Sequence, residues 1–127
     1  MAISDFTGHG MMYTSDYYAD SSILKQQCGP IEHNRSMVTN VMTLDSFCET
    51  KCLDRVDFIK MDIEGAEEQA IIGAKRVIEN SHPTWSISSY HHDSSNELQH
   101  PKLVRLLKSF GYTIVERHEN HIWAYDQ

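Results

Sequence analysis

The feature that most constrains the fold is a change of hydrophobic period in the middle of the chain. Residues 56–63 form a short, β-favouring run that ends in acid. From Gly65 to Glu79 the apolar residues recur at helical spacing instead. They share one stripe of a helix: Ala66, Ala70, Ala74 and Val77, with Ile71 and Ile78 beside it. A strand that passes directly into a helix is typical of an α/β sheet with crossover connections.

Three local signals refine the helix predicted over residues 65–79. Glu64, Glu67 and Glu68 cluster at its N-terminal end, where the helix dipole favours negative charge. Gly73 lies inside it at a cost of about 1 kcal/mol relative to alanine, which predicts close packing against a sheet. The pair His82-Pro83 predicts its end, because the residue before a proline disfavours helical backbone.

The flanking sequence supplies further strands and helices. The predicted elements are a strand over 37–42, a turn or short helix over 43–47, a strand over 85–90, a helix carrying Leu103, Leu106, Leu107 and Phe110, and a hairpin of 113–117 with 122–125 through Glu119-Asn120. Ser94 to Asn96 offer N-caps for the last helix, Pro101 suits its first turn and Gly111 its end. Alternating strands and helices predict a mainly parallel sheet with a C-terminal antiparallel hairpin.

The first 36 residues are the least regular part of the chain. They contain Gly29-Pro30 and two short apolar patches, Met11 to Tyr13 and Ile23-Leu24. We therefore predict an irregular N-terminal arm or edge strands over residues 1–36, followed by an α/β domain over residues 37–127.

Composition excludes several classes of protein. The 127 residues suffice for one small domain, and a formal net charge of -7 with scattered basic residues argues against nucleic-acid binding. No apolar run reaches about 18 residues, which predicts no membrane span, and no signal peptide is recognisable at the start. Three cysteines indicate reduced thiols and a cytoplasmic location. Cys48 and Cys52 have no second metal-binding pair after them, so they are interpreted as small hydrophobic residues.

The central element resembles a known family. Thr43-Leu44-Asp45, followed by Val56-Asp57-Phe58-Ile59-Lys60-Met61-Asp62-Ile63-Glu64-Gly65-Ala66-Glu67, is similar to the signature of the FkbM-type methyltransferases. The resemblance extends to Ile87-Ser88-Ser89-Tyr90-His91, to Gly111-Tyr112, to Trp123-Ala124-Tyr125, and to the link at residues 2–8. It implies a Rossmann-like fold and S-adenosylmethionine-dependent methylation. The expected reaction is O-methyl transfer to a small molecule or glycan.

The sequence departs from that family at its cofactor-binding elements. Members open with a strand and a Gly-rich turn around the cofactor, then a second strand ending in an acid that holds the ribose. Gly8-His9-Gly10 does not match that turn, since no apolar strand precedes it and no helical pattern follows. The resemblance thus implies the C-terminal, substrate-side half of the fold, as a truncated gene product, a mispredicted start or one piece of a split protein. Such a fragment is expected to be inactive alone and not to bind the cofactor by itself.

The candidate site lies where two predicted strands end. Ligands of such sheets bind beyond the carboxyl ends of the strands, so Asp62 and Glu64 should neighbour Tyr90, His91 and His92. The resemblance implies that Asp62 and His91 are catalytic, that Glu64, Tyr90 and His92 contact the substrate, and that Asp62 and Glu64 contact the cofactor.

Each of these residues also has a structural interpretation. Asp62 is an N-cap candidate, Glu64 a first-turn glutamate at the helix dipole, and His91 a solvated loop histidine. His92 suits a polar loop and Tyr90 a core. A metal set of Asp62, Glu64 and His91 is a further alternative, but such ligand types meet often by chance, and no metal is expected.

Three functions remain open from the sequence. The first is a methyltransferase that acts with a partner chain carrying the cofactor half. The second is a non-catalytic interaction module, because the strand at 56–63 would present an apolar edge to a homodimer partner or another chain. The third is a small metal-dependent hydrolase that uses Asp62, Glu64 and His91.

Overall fold

A computed structural model of the chain describes residues 1–15, 21–23, 34–117 and 120–126. The predicted residues Leu24, Cys28, Gly29-Pro30 and Glu119 lie outside these ranges. In chain order the elements are β1 (Ala2–Ile3), β2 (Gly8–Ser15), β3 (Ser21–Ser22), β4 (Asn34–Met42), α1 (Leu44–Thr50), β5 (Phe58–Met61), α2 (Glu67–Ile72), α3 (Lys75–Ser81), β6 (Thr84–Ser88), α4 (His100–Ser109), β7 (Thr113–Arg117) and β8 (His121–Tyr125).

A first sheet is built around a long antiparallel pair. Strand β2 pairs with β4 from Gly8 opposite Val41 to Ser15 opposite Asn34. The short β1 joins β4 in parallel and β3 joins β2, which gives the order β1-β4-β2-β3. Residues 8–15 thus share a sheet with the predicted strand at 37–42, while the boundary at residue 36 between an arm and a domain stays a prediction.

A second sheet carries the α/β part of the chain, in the order β5-β6-β8-β7. Strands β5 and β6 are parallel, and β7 and β8 form the predicted antiparallel hairpin, whose β8 pairs antiparallel with β6. The prediction of one mainly parallel sheet is corrected, since antiparallel pairs outnumber parallel ones in the described residues. The reason is that β4 pairs with β2, which precedes it in the chain, and never becomes a neighbour of β5.

The hydrophobic core lies on the second sheet. All six apolar residues of the predicted helical stripe are buried. Four of them belong to a cluster that also includes Trp85 and Ile87 of β6 and Leu103 and Leu107 of α4, namely Ala70, Ile71, Ala74 and Ile78. The α4 stripe is therefore confirmed, as are Pro101 in its first turn and Gly111 at its end, where φ is +90°.

The predicted helix over residues 65–79 is two helices, α2 and α3, with Gly73 and Ala74 between them. Gly73 makes the expected close approach, because a Cβ at this position would lie 2.2 Å from the carbonyl oxygen of Ser4, just after β1. The break leaves the N-terminal amides of α3 in need of acceptors. Asp45 supplies them, since its two carboxylate oxygens accept from the backbone N–H of Arg76 and of Val77, both at 3.0 Å.

The starts of α1 and α4 are capped in different ways. Thr43 caps α1, its hydroxyl accepting from the N–H of Ser46 at 3.0 Å, so the Thr-Leu-Asp motif holds two helix starts. The predicted N-cap of α4 at Ser94–Asn96 is wrong, and Gln99 stands at that position. The physical reason is that the Asp93 carboxylate accepts from the N–H groups of Ser95 and Glu97, which bends these residues into a separate turn.

Two composition-based expectations meet the structure here. No helix within the described ranges has the length and apolar character needed to cross a bilayer. Cys48 is buried in α1 and Cys52 is exposed, and both are free thiols. Burial raises the pKa of the Cys48 thiol, with the nearby Asp45 carboxylate as a lesser cause.

Candidate functional site

The bend between β5 and α2 places Asp62 at the end of a strand. Strand β5 ends at Met61, and Glu64 and Gly65 then adopt left-handed backbone conformations, with φ of 55° and 94°. Glycine takes such a conformation at little cost, whereas Glu64 does so against its steric preference. The hydroxyl of Ser22 donates to the carbonyl oxygen of Glu64 at 2.7 Å, which holds this bend against the first sheet.

The residues after β6 meet this bend. Because β5 and β6 are parallel, their carboxyl ends lie at the same edge of the sheet. Nε2 of His91 lies 2.9 Å from Oδ1 of Asp62, and Nδ1 lies 3.3 Å from Oε2 of Glu64. The imidazole is almost fully buried, while 38% of the Asp62 side chain stays exposed. The predicted proximity of Asp62, Glu64 and His91 is confirmed, and their assigned roles stay predictions.

Glu67 is one of two residues of this site that the sequence analysis did not assign. Its carboxylate is fully buried, and Oε1 lies 3.9 Å from Nε2 of His91. The same oxygen accepts from the backbone N–H of Ile63 at 3.0 Å. Burial raises the pKa of the Glu67 carboxyl against these favourable contacts. Its position at the start of a helix suggested a solvated glutamate that interacts with the helix dipole. The one signal for its burial was that Glu67 lies next to the apolar stripe of that helix.

Gln99 joins the segments of the site. Its side-chain Nε2 donates to the carbonyl oxygen of Gly65 and to Oε2 of Glu67, the latter at 3.2 Å. Its Oε1 accepts from the N–H of Glu68 at 3.2 Å, and its own backbone N–H donates to the carbonyl of His91 at 3.0 Å. This fully buried side chain thus ties the bend, the His91 loop and α4 together. Nothing in the sequence distinguished it from a surface glutamine.

Tyr90 and His92 occupy the rim. Tyr90 is half-exposed, which corrects its interpretation as a core residue, because β6 ends at Ser88 and Tyr90 lies beyond it. Its ring contacts the His91 ring with 4.1 Å between centroids. His92 is exposed, and its backbone forms an isolated bridge with Leu98. The predicted substrate contacts of both residues stay predictions.

Asp62 faces a cavity between the two sheets. The cavity has a volume of about 260 Å³, and its lining includes Ile3, Met12, Ser22 and Ala66. Typical ligand pockets enclose about 300–1,000 Å³, so this cavity is smaller than most of them. The chemistry here is three carboxylates, those of Asp62, Glu64 and Glu67, around one imidazole, with Asp62 lining a largely apolar space.

Comparisons with known proteins place the chain among methyltransferases. The family described as the methyltransferase FkbM domain matches residues 6–114. The fold resembles the crystal structure of methyltransferase FkbM from Methylobacillus flagellatus KT, with 24% sequence identity and a TM-score of 0.57. That match covers 97% of this chain and 26% of the other, so this chain spans about a quarter of that protein's length. No curated protein matches.

Proposed function

The chain belongs to the FkbM methyltransferase family, and on that premise we propose that it serves S-adenosylmethionine-dependent methyl transfer to a hydroxyl group of a small molecule or glycan. The observation that carries this proposal is the 2.9 Å contact between Asp62 and His91 at the carboxyl ends of two parallel strands. Sites of α/β sheets form at such ends, and both residues belong to segments in which the chain resembles the family.

The chain's own residues would orient the acceptor and receive its proton. S-adenosylmethionine, when bound, supplies an electrophilic methyl group on a sulfonium. The exposed part of the Asp62 carboxylate accepts a hydrogen bond from the acceptor hydroxyl, and His91 holds Oδ1 of the same carboxylate. The Asp62–His91 pair would receive the proton that the acceptor hydroxyl releases on methylation.

The fit of the cofactor to the described residues is partial. Asp62 and Glu64 offer oxygen acceptors for its amino or ribose hydroxyl groups, but the cavity beside Asp62 is only about 260 Å³. We therefore propose that a partner chain completes the cofactor side. Calorimetric titration of S-adenosylmethionine into the chain alone should give no heat of binding, and micromolar binding would contradict this part of the proposal.

The test of the reaction compares three variants in an extract of the source organism. The added chain should increase transfer of radiolabelled methyl groups to hydroxyl acceptors. Asp62→Asn and His91→Gln should lower that increase by about 100-fold or more, as expected for loss of general acid–base chemistry. Asp54→Asn, a matched change in the exposed loop before β5, should behave like the wild type. The proposal fails if Asp62→Asn retains full activity.

A second candidate, a non-catalytic interaction module, is favoured by β5. Among the described residues this strand lies at one end of its sheet, with Phe58 half-exposed. Beside it an apolar cavity of about 200 Å³ is lined by Ile3, Ile59, Met61 and other side chains. Exposed apolar edges pair with other chains. We propose a second copy of the chain as the partner of this edge.

The edge proposal is tested by the mass of the chain in solution. If β5 mediates a dimer, light scattering should give twice the monomer mass for the wild type and the monomer mass for Phe58→Lys, because charge at an edge opposes pairing. Leu53→Lys changes an equally exposed apolar residue outside β5 and should leave the dimer intact. A monomeric wild type rules the dimer out.

A further inference from the structure

We propose that Asp62, Glu67 and His91 bind a divalent metal cation at the junction of β5, α2 and the loop after β6. Each residue offers one ligand atom, and the three atoms lie within 4.8 Å of one another. The set differs from the sequence-derived alternative of Asp62, Glu64 and His91, because Glu67 takes the place of Glu64. The inference goes beyond methyl transfer, since it concerns an ion that the free chain would hold.

The separations suit a coordination shell. Nε2 of His91 lies 2.9 Å from Oδ1 of Asp62 and 3.9 Å from Oε1 of Glu67. Metal bonds of about 2.0–2.2 Å to imidazole and carboxylate put neighbouring ligand atoms about 3–3.5 Å apart. A side-chain movement of Glu67 toward Asp62 and His91, whose ligand atoms lie within 4.8 Å of it, would close the set around an ion.

The surrounding hydrogen bonds are those that orient metal ligands. A ligating histidine generally directs its other ring nitrogen to a carboxylate, and ligating carboxylates are themselves hydrogen-bonded. Nδ1 of His91 lies 3.3 Å from Glu64, which leaves Nε2 directed at Asp62 and Glu67. Glu67 accepts from the N–H of Ile63 and from the amide of Gln99. An ion would take the place of the direct contact between Nε2 of His91 and Oδ1 of Asp62.

The charges of the site also point to a cation. Glu67 is fully buried, and its hydrogen-bond donors, Ile63 and Gln99, are neutral. In residues 1–15, 21–23, 34–117 and 120–126, His91 is the only base within ion-pair distance of Glu67. Buried carboxylates are paired with cations or coordinate metals. A divalent ion would bind the ionised forms of Asp62 and Glu67, because His91 supplies at most one positive charge against their two negative charges.

The site also has the open side that a reactive metal needs. Asp62 is partly exposed and lines the cavity between the sheets, so water or a substrate oxygen can approach from there. Two carboxylate oxygens with one imidazole nitrogen suit a first-row ion of intermediate hardness such as Mn²⁺. We therefore choose Mn²⁺ as the probe, with Zn²⁺ as a second ion.

The test titrates Mn²⁺ into the full chain after dialysis against a chelator, with calorimetry for stoichiometry and electron paramagnetic resonance for the bound ion. One site per chain is expected. Asp62→Asn and Glu67→Gln should each weaken binding at least as much as Glu64→Gln, for which a loss of about 10- to 100-fold is expected from an outer-shell position. Two surface controls, His9→Gln and Glu79→Gln, should bind as the wild type does.

The outcomes separate this proposal from the proposed function. If Glu67→Gln fails to fold, Asp62→Asn provides the test. Asp62 is partly exposed, so its substitution should leave the fold intact, and circular dichroism of the variant checks this. The metal site is ruled out if neither Mn²⁺ nor Zn²⁺ binds, if Asp62→Asn binds as tightly as the wild type, or if His9→Gln abolishes binding. No step of the test measures methyl transfer, so failure of the proposed reaction leaves the result unaffected.

Discussion

The two sheets of the chain differ in how completely they are covered. In the second sheet Trp85 and Ile87 of β6 and Ile122 and Ala124 of β8 are at most 1% exposed. In the first sheet Met37 and Val38 of β4 are 60% and 65% exposed. Helices α2, α3 and α4 supply the buried side chains that pack on the second sheet, while Val41 is the deeply buried residue among the described side chains of β4.

This difference shows where the stability of the chain lies. Full burial of a large aliphatic side chain contributes about 1.5–3 kcal/mol, so the second sheet accounts for most of the apolar stabilisation. The first sheet is held mainly by its own backbone pairing and by contacts such as Ser22 to Glu64 and Gly73 to Ser4. The candidate site lies between the two, with its carboxylates on the covered sheet and its cavity facing the exposed one.

The largest effect should come from a cavity in β6. Ile87→Ala removes a fully buried side chain and should lower the free energy of unfolding by about 2–5 kcal/mol. Val38→Ala, at an exposed position of β4, should change it by less than about 0.5 kcal/mol. Urea denaturation followed by circular dichroism measures both. Equal losses would show that the first sheet is as much a part of the core as the second.

A smaller loss of stability is expected where the link between α2 and α3 approaches the end of β1, at Gly73. Gly73→Ala places a Cβ 2.2 Å from the Ser4 carbonyl oxygen, and relief of the overlap should cost up to about 3 kcal/mol. Lys75→Ala, an exposed change at the start of α3, should be nearly neutral. Hydrogen exchange should speed up at the β1–β4 amides, including the N–H of Ser4, more than at β6 and β8. Unchanged exchange in β1 would contradict the close approach.

The smallest of the three losses of stability is expected for Gln99, with Gln69 as the matched control. Gln99→Met removes the amide that serves Gly65, Glu67 and Glu68, and unpaired buried groups should then cost roughly 1–2 kcal/mol. Gln69→Met is the matched change, because Oε1 of Gln69 is buried without a hydrogen-bond partner among the described residues. Replacing Gln69 by methionine should leave the stability of the chain unchanged or raise it. Thermal unfolding of both variants measures the two effects. A larger loss of stability for Gln69→Met than for Gln99→Met would contradict the role given to Gln99.

Much of the α/β part could be predicted from the sequence because its signals are local. The helical stripe from Ala66 to Ile78 and the leucines of α4 have a period that only a helix can bury. The proximity of Asp62 and His91 followed from one rule, that parallel strands end at the same edge. The parallel pairing of β5 with β6 satisfied that rule.

The features that the sequence did not predict share a different cause. The antiparallel pairing of β2 with β4 and the buried positions of Glu67 and Gln99 depend on residues far apart in the chain. A glutamate in a first helical turn and a glutamine before a helix have the same local pattern whether they are buried or solvated. Likewise, Asp45 was part of a recognisable motif, but its role as the cap of α3 requires the position of a helix 31 residues away.

The sequence by itself determined the periodic elements, the family and the strand-end corner that carries the acids and the histidine. Hydrophobic period and chain direction are properties of neighbouring residues, and these suffice for such features. The tertiary structure alone decided that the strands divide into two sheets and that Glu67 faces His91 inside the protein. Burial and strand pairing depend on which surfaces, distant in the sequence, exclude water together. A local sequence pattern does not specify that arrangement.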